Sequence, residues 1–169
     1  MKSYVSMRIF FFVIGAAALN LLGACEQEHF EPKMNTLPGG GTVTTYKAYT
    51  LSPTNPAGDN VYGRVVFYKY SSTVTLVQMG LYNTEPDATY SADIFGGSIL
   101  EGATTVAIDL DDVSGTTGAF VSSKYFVMND ATFYETLGDY DASVKVMLGT
   151  TPVAAGDIGA NADPVAVQD

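Results

Sequence analysis

From Thr42 onward, the apolar positions alternate with polar ones or fall in short β-branched and aromatic runs, and turn residues cut them at regular intervals. Thr42 to Leu51 is rich in Thr, Val and Tyr, and Ser52 to Asn60 (SPTNPAGDN) is turn chemistry throughout. Val61 to Tyr70 and Thr73 to Leu81 form a predicted hairpin around Ser71-Ser72. In the first of these runs Tyr62, Arg64, Val66, Tyr68 and Tyr70 share one face, and Val61, Gly63, Val65 and Phe67 the other. Both faces carry apolar bulk, so the pattern leaves the inward one open. Asn83 to Ala88 reads as a loop, Tyr90 to Phe95 as a strand stopped by Gly96-Gly97, and Val106 to Leu110 as the next. An acidic turn from Asp111 to Gly118 precedes a strand over Ala119 to Met128. Thr132 and Glu135 have capping-box spacing, which predicts one or two turns of helix. Ser143 to Leu148 and Val153 to Ile158 are the closing strands, and Ala160 to Asp169 reads as a frayed tail. About eight short strands at this spacing predict an all-β fold, a single Greek-key or immunoglobulin-like β-sandwich over 42–162, with 163–169 as tail.

The N-terminal pattern is different. Lys2 and Arg8 precede an apolar run from Ile9 to Leu19, and small residues follow at Gly23 and Ala24. That is the plan of a cleaved secretory signal over 1–24, and the run is shorter than the roughly 20 apolar residues a bilayer core requires. Leu22-Gly23-Ala24-Cys25 resembles the lipobox of bacterial lipoproteins, which implies a diacylglycerol thioether on Cys25. One acyl chain anchors only marginally at ~0.8 kcal/mol per methylene, so two or three chains would hold the protein at the membrane. Glu26 to Gly41 has no hydrophobic period, two prolines and a triple glycine, so 25–41 reads as the lipidated Cys and a flexible tether. His29 falls in this tether as an exposed residue.

Composition narrows the function. The 169 residues carry 18 Asp and Glu against 8 Lys and Arg, a formal charge of −10. Loss of the signal removes two of the bases and none of the acids. Such a chain lacks the basic stripe that phosphate binding requires, which excludes nucleic acid as a partner. The lone Cys excludes an internal disulfide, and no His after His29 can activate a serine in a triad. Asp109, Asp111 and Asp112 form an acidic cluster whose spacing departs from that of a calcium loop, and it reads as a solvated turn. Asp139 and Asp141 are alternate strand positions with no pocket in sight, although a carboxylate hydrolase would need such a pair. Tyrosine is the enriched residue. If the face of Tyr62, Tyr68 and Tyr70 points outward, it is a candidate contact surface; rim hydroxyls on ordinary packed rings are the alternative.

Tyr49-Thr50-Leu51, the Val61–Leu81 hairpin, Ala88 to Ser98, Ile108 to Gly118, and Tyr140 to Gly159 together resemble a bacterial chordin-type (CHRD) domain. That family is related to the copper-zinc superoxide dismutase β-sandwich. Many of its members carry a His-x-His pair where this chain has Asp93-Ile94-Phe95, and a third His where it has Met147. The resemblance thus implies the sandwich and leaves no metal ligand set, since Phe95 ligates nothing. The expectation is a non-enzymatic lipoprotein without cofactor, in the bacterial cell envelope at the outer membrane. The membrane is its partner through the lipid, and an envelope protein or glycan through the domain. A copper-binding metalloprotein with a rebuilt site at Asp93 and Met147 is the alternative.

Overall fold

The computed structural model describes residues 44–166; the signal, Cys25, His29 and the tether lie outside them. The described chain is mostly β: β1 (Tyr46–Pro53), β2 (Tyr62–Lys69), β3 (Thr75–Tyr82), β4 (Thr89–Gly96), β5 (Val106–Asp109), β6 (Val113–Ser114), β7 (Phe126–Met128), β8 (Asp141–Leu148) and β9 (Thr151–Gly159). One short helix, α1 (Phe133–Thr136), runs into a 3-10 turn over Leu137–Asp139. All pairings are antiparallel, in the order β5-β4-β8-β9-β1-β2-β3-β7, with β6 against β4. The path folds over at β1. Tyr46 to Leu51 pair with β2, whereas Ser52 and Pro53 pair with Ala155 and Ala154 of β9. A first sheet (β1-β2-β3-β7) therefore faces a second (β5-β4-β8-β9), and the expected all-β sandwich is what forms.

The hairpin settles the face that the pattern left open. Val61, Val65 and Phe67 point inward with Tyr49, Leu51, Val77 and Met79, and meet Ile94, Val144, Val146 and Ile158 of the second sheet in one core. Fully burying each such side chain contributes about 1.5–3 kcal/mol, which offsets the ordering of the strands. Leu137 and Phe133 plug the end of the sandwich where α1 sits, with Phe133 tilted against Phe67 at 5.8 Å.

At two positions a neighbouring strand's backbone leaves no room for a side chain. A Cβ on Gly63 would lie 2.1 Å from the Gly80 carbonyl oxygen, and one on Gly156 would lie 2.1 Å from that of Thr50. Glycine is required at both.

Three local expectations are corrected. The strand expected over Ala119–Met128 shrinks to Phe126–Met128. Upstream, Ser114 N–H donates to the Ala119 carbonyl at 2.9 Å and the Ser123 hydroxyl to that of Tyr125 at 2.5 Å, so local serine chemistry outcompetes the ladder. The helix at 133–136 forms without the capping box. Thr132 donates its N–H and hydroxyl to Asp130, both at 2.8 Å, and Glu135 turns instead to an ion pair with Lys69. The end of the chain is docked through residue 165. Ala160 N–H reaches the Tyr140 carbonyl at 3.0 Å and Val165 N–H that of Ala48 at 2.8 Å.

Candidate functional site

The strands bring the three candidate metal positions to one face. Ser91 pairs with Met147, Asp93 with Lys145, and Phe95 with Ser143, so Asp93, Phe95 and Met147 all lie on the outer face of the second sheet. Lys145 stands between them in the register. Its ammonium bonds the Ala103 carbonyl and sits 4.8 Å from the centre of the Phe95 ring. Asp93, Phe95 and Met147 do not fit a metal ion, because Phe95 has no donor, a carboxylate and a thioether suit different metals, and the ammonium of Lys145 shares their face. Among the described residues no group of three or more His, Cys, Asp or Glu could hold a metal.

The acidic cluster is divided. Asp109 lies directly across from Asp93, and their carboxyls hydrogen-bond. Burial, then the Asp109 carboxylate, hold Asp93 above the usual carboxylate range, so the pair favours a retained proton. Asp111 accepts instead from the Ser122 hydroxyl. Asp139 closes the 3-10 turn and Asp141, exposed at the start of β8, accepts from Asn161 at 2.8 Å. Asp139 and Asp141 face solvent.

Residues 97–105 roof part of the second sheet. Ile99 N–H donates to the Asp157 carboxylate at 2.7 Å, and Ala103 is buried over Lys145. Ser143 lies beneath the sheet's outer cover, fully buried, with its hydroxyl unpartnered.

The outer face of the first sheet is built differently. Register places its residues in cross-strand rows: Tyr46, Tyr68 and Leu76; Ala48, Val66 and Gln78; Thr50, Arg64 and Gly80; Tyr62 and Tyr82. The first two rows are closed. Tyr68 packs with Ala48, Val66, Leu76 and Tyr125, and Val165 lies against this cluster. Its hydroxyl donates to Gln78 Oε1 at 3.0 Å, and burial, with Tyr125 and Tyr46 beside it, pushes its pKa up to about 12. Tyr68 is thus a packed ring, whereas Tyr62 and Tyr70 are 42% and 51% exposed.

The last two rows are more accessible: Thr50 and Tyr62 are exposed, and Arg64, Gly80 and Tyr82 are half-buried. Tyr62 and Tyr82 stack at 5.2 Å with 29° between their planes. Asn60 and Asn83, the residues flanking them, both adopt left-handed backbone, which Asn tolerates, and the Asn83 amide donates to the Asn60 carbonyl at 3.1 Å. The two turns that aim the rings are thereby tied together. Gly80 leaves a notch beside Arg64, since a Cβ there would meet nothing within 4 Å. Arg64, Gly80 and Tyr82 went unnoticed as candidates in the sequence. The signal for the first two was present: a charge and a glycine interrupt otherwise apolar strands, two residues from a tyrosine.

Among the described residues no helix is long and apolar enough to cross a membrane. No family model matches the chain, and no curated protein or solved structure matches it.

Proposed function

We propose that the protein is an envelope-anchored, non-enzymatic lipoprotein at the outer membrane of a bacterium, whose CHRD-like β-sandwich is a binding module. The anchor rests on the signal pattern ending in Leu22-Gly23-Ala24-Cys25. The open tyrosine-arginine face supports the binding role and is the observation that carries it: Tyr62 and Tyr82 stacked beside Arg64 and the Gly80 notch. Exposed aromatic rings beside a cation are the composition of contact surfaces. The interior, by contrast, is filled by Phe67, Met79, Ile94, Val144 and Ile158.

The test is to express the full chain and its Cys25→Ala variant in a Gram-negative host and separate membrane from soluble fractions. The wild type is expected in the membrane fraction with a diacylglyceryl mass on its N-terminal cysteine peptide, and the variant in the soluble fraction. An unmodified Cys25 in a soluble wild type overturns the anchor.

A further inference from the structure

We propose that the open end of the first sheet's outer face binds an acidic saccharide. The Arg64 guanidinium takes a uronate carboxylate, and the Tyr62–Tyr82 pair takes the apolar C–H face of the sugar ring. This rests on the reading of the domain as a binding module and gives that module a ligand class.

Three observations carry it. First, Gly80 is a glycine without a structural reason. Gly63 and Gly156 are held by backbone oxygens 2.1 Å from where a Cβ would sit, but at Gly80 that space is empty and φ is not positive. A strand-interior glycine costs stability, and at one that crowding does not require a ligand can come close to the backbone. Second, the cations are unevenly used. Of the five among the described residues, Lys47 bonds the Tyr134 carbonyl, Lys69 pairs with Glu135, and Lys145 bonds the Ala103 carbonyl. Arg64 and Lys124 alone make no hydrogen bond or ion pair there, in a chain of 18 acids. Arg64 is half-buried beside the notch, and Lys124 lies over the Tyr125 ring, 5.5 Å from its centre, where that ring packs on Tyr68. Two cations left without acids on one side of an acidic domain are a local attraction for an anionic chain. Third, the surround suits a sugar better than a protein. Beside the rings runs the row of Thr50, Arg64 and Gly80, with Thr50 exposed, and not an apolar core of the kind protein interfaces bury. Hydroxyl-bearing rings with one apolar face need this mixture of flat aromatic and planar polar groups. Because Asn83 ties down the turn beside the rings, little ordering remains to oppose binding.

Titration calorimetry of the full-length chain in detergent, with short oligogalacturonates against neutral cello-oligosaccharides of equal length, tests this. The acidic oligomer is expected to bind at least roughly tenfold tighter than the neutral one, and less tightly as salt is raised. Arg64→Gln should weaken it by roughly tenfold or more, the usual weight of a charged hydrogen bond. Gly80→Val should do the same by filling the notch, while its melting temperature holds or rises, since the added side chain meets open space. No binding by the wild type, equal binding of the neutral oligomer, or binding that survives both variants overturns the proposal. So does a concentration-dependent dimer that Gly80→Val abolishes, which would make a second copy the occupant. In each of these cases a lipidated Cys25 and membrane recovery leave the anchored module standing without this ligand.

Discussion

The two outer faces of the sandwich are made from the same kind of strand and end up with opposite chemistry. On the second sheet, Asp93 and Asp109 face each other across β4 and β5, and residues 97–105 fold back over Lys145 and Asp157. On the first, Tyr68 and its neighbours are closed by Tyr125 and Val165, whereas Tyr62 is exposed in its stack with Tyr82 and Arg64 is half-buried beside Gly80. The second face meets its charged needs internally, with a loop N–H for Asp157 and a loop carbonyl for Lys145, and leaves only the buried Ser143 hydroxyl unpartnered among the described residues of that face. The first leaves a guanidinium unpaired. A face that satisfies itself has little to offer a partner, and a face that does not is the one to probe.

Removing the roof is the strongest way to break this contrast. Asp157→Ala takes the acceptor from Ile99 N–H. It should cost about 1.5–3 kcal/mol, the range for a hydrogen bond to a charged group, and hydrogen exchange should quicken over 98–104 while the Tyr62 face is unchanged. Exchange that quickens over both faces alike would show that they are not independent.

The closed part of the first face is addressed by Tyr68→Phe. At pH 8 the lost bond to Gln78 should cost about 1 kcal/mol. The sign of the pH effect follows from the raised pKa. The unfolded tyrosine ionises near 10 and the folded one at about 12, so the folded state holds the proton longer and the ring's contribution, complete below pH 10, is lost as pH rises toward 12. Urea midpoints at pH 8 and 11 should therefore fall more steeply for the wild type than for the variant. Parallel falls would place the alkaline sensitivity elsewhere.

The smallest effect belongs to Asp93→Asn. Asp93 is raised by burial and by Asp109, so its ionised form opposes folding. That penalty is complete above the raised pKa and disappears as pH falls toward the ordinary carboxylate value. The variant should melt slightly higher than the wild type at pH 7 and equally near pH 3, and a lower melting point at pH 7 would reverse the assignment.

Much of this arrangement could be read from residue order alone. The β-branched runs and their Gly, Asn and Ser punctuation located all the long strands, because a period of two with turn residues between is a local property. What could not be read was decided by contacts distant in sequence. The inward face of β2 depends on what β8 and β9 bring opposite it. Ala119–Tyr125 has strand composition, but the Ser123 hydroxyl and the turn at Gly118 claim its backbone. Glu135 has capping-box spacing, yet Lys69, on β2, competes for it. At the candidate site, Asp93, Phe95 and Met147 were legible by number, and their sharing a face with Lys145 was not. The tyrosines were legible as an enriched type; that Tyr68 is buried and Tyr62 exposed follows from the docking of Tyr125 and Val165.

The split pairing of β1 has a mechanical meaning. A pull applied at residue 44 would enter the domain through β1, which is bonded along Tyr46–Leu51 to β2 and at its far end to β9. Ladder hydrogen bonds lie across the strand, so tension along it loads all six β1–β2 residue pairs in shear at once, where a hairpin pulled from one end opens a pair at a time. Arg64 is on the neighbouring strand, directly across from Thr50. A load between an N-terminal anchor and a ligand on that face would run through this seam and bypass the β8–β9 half of the sandwich, as in a clasp that tightens along its own length.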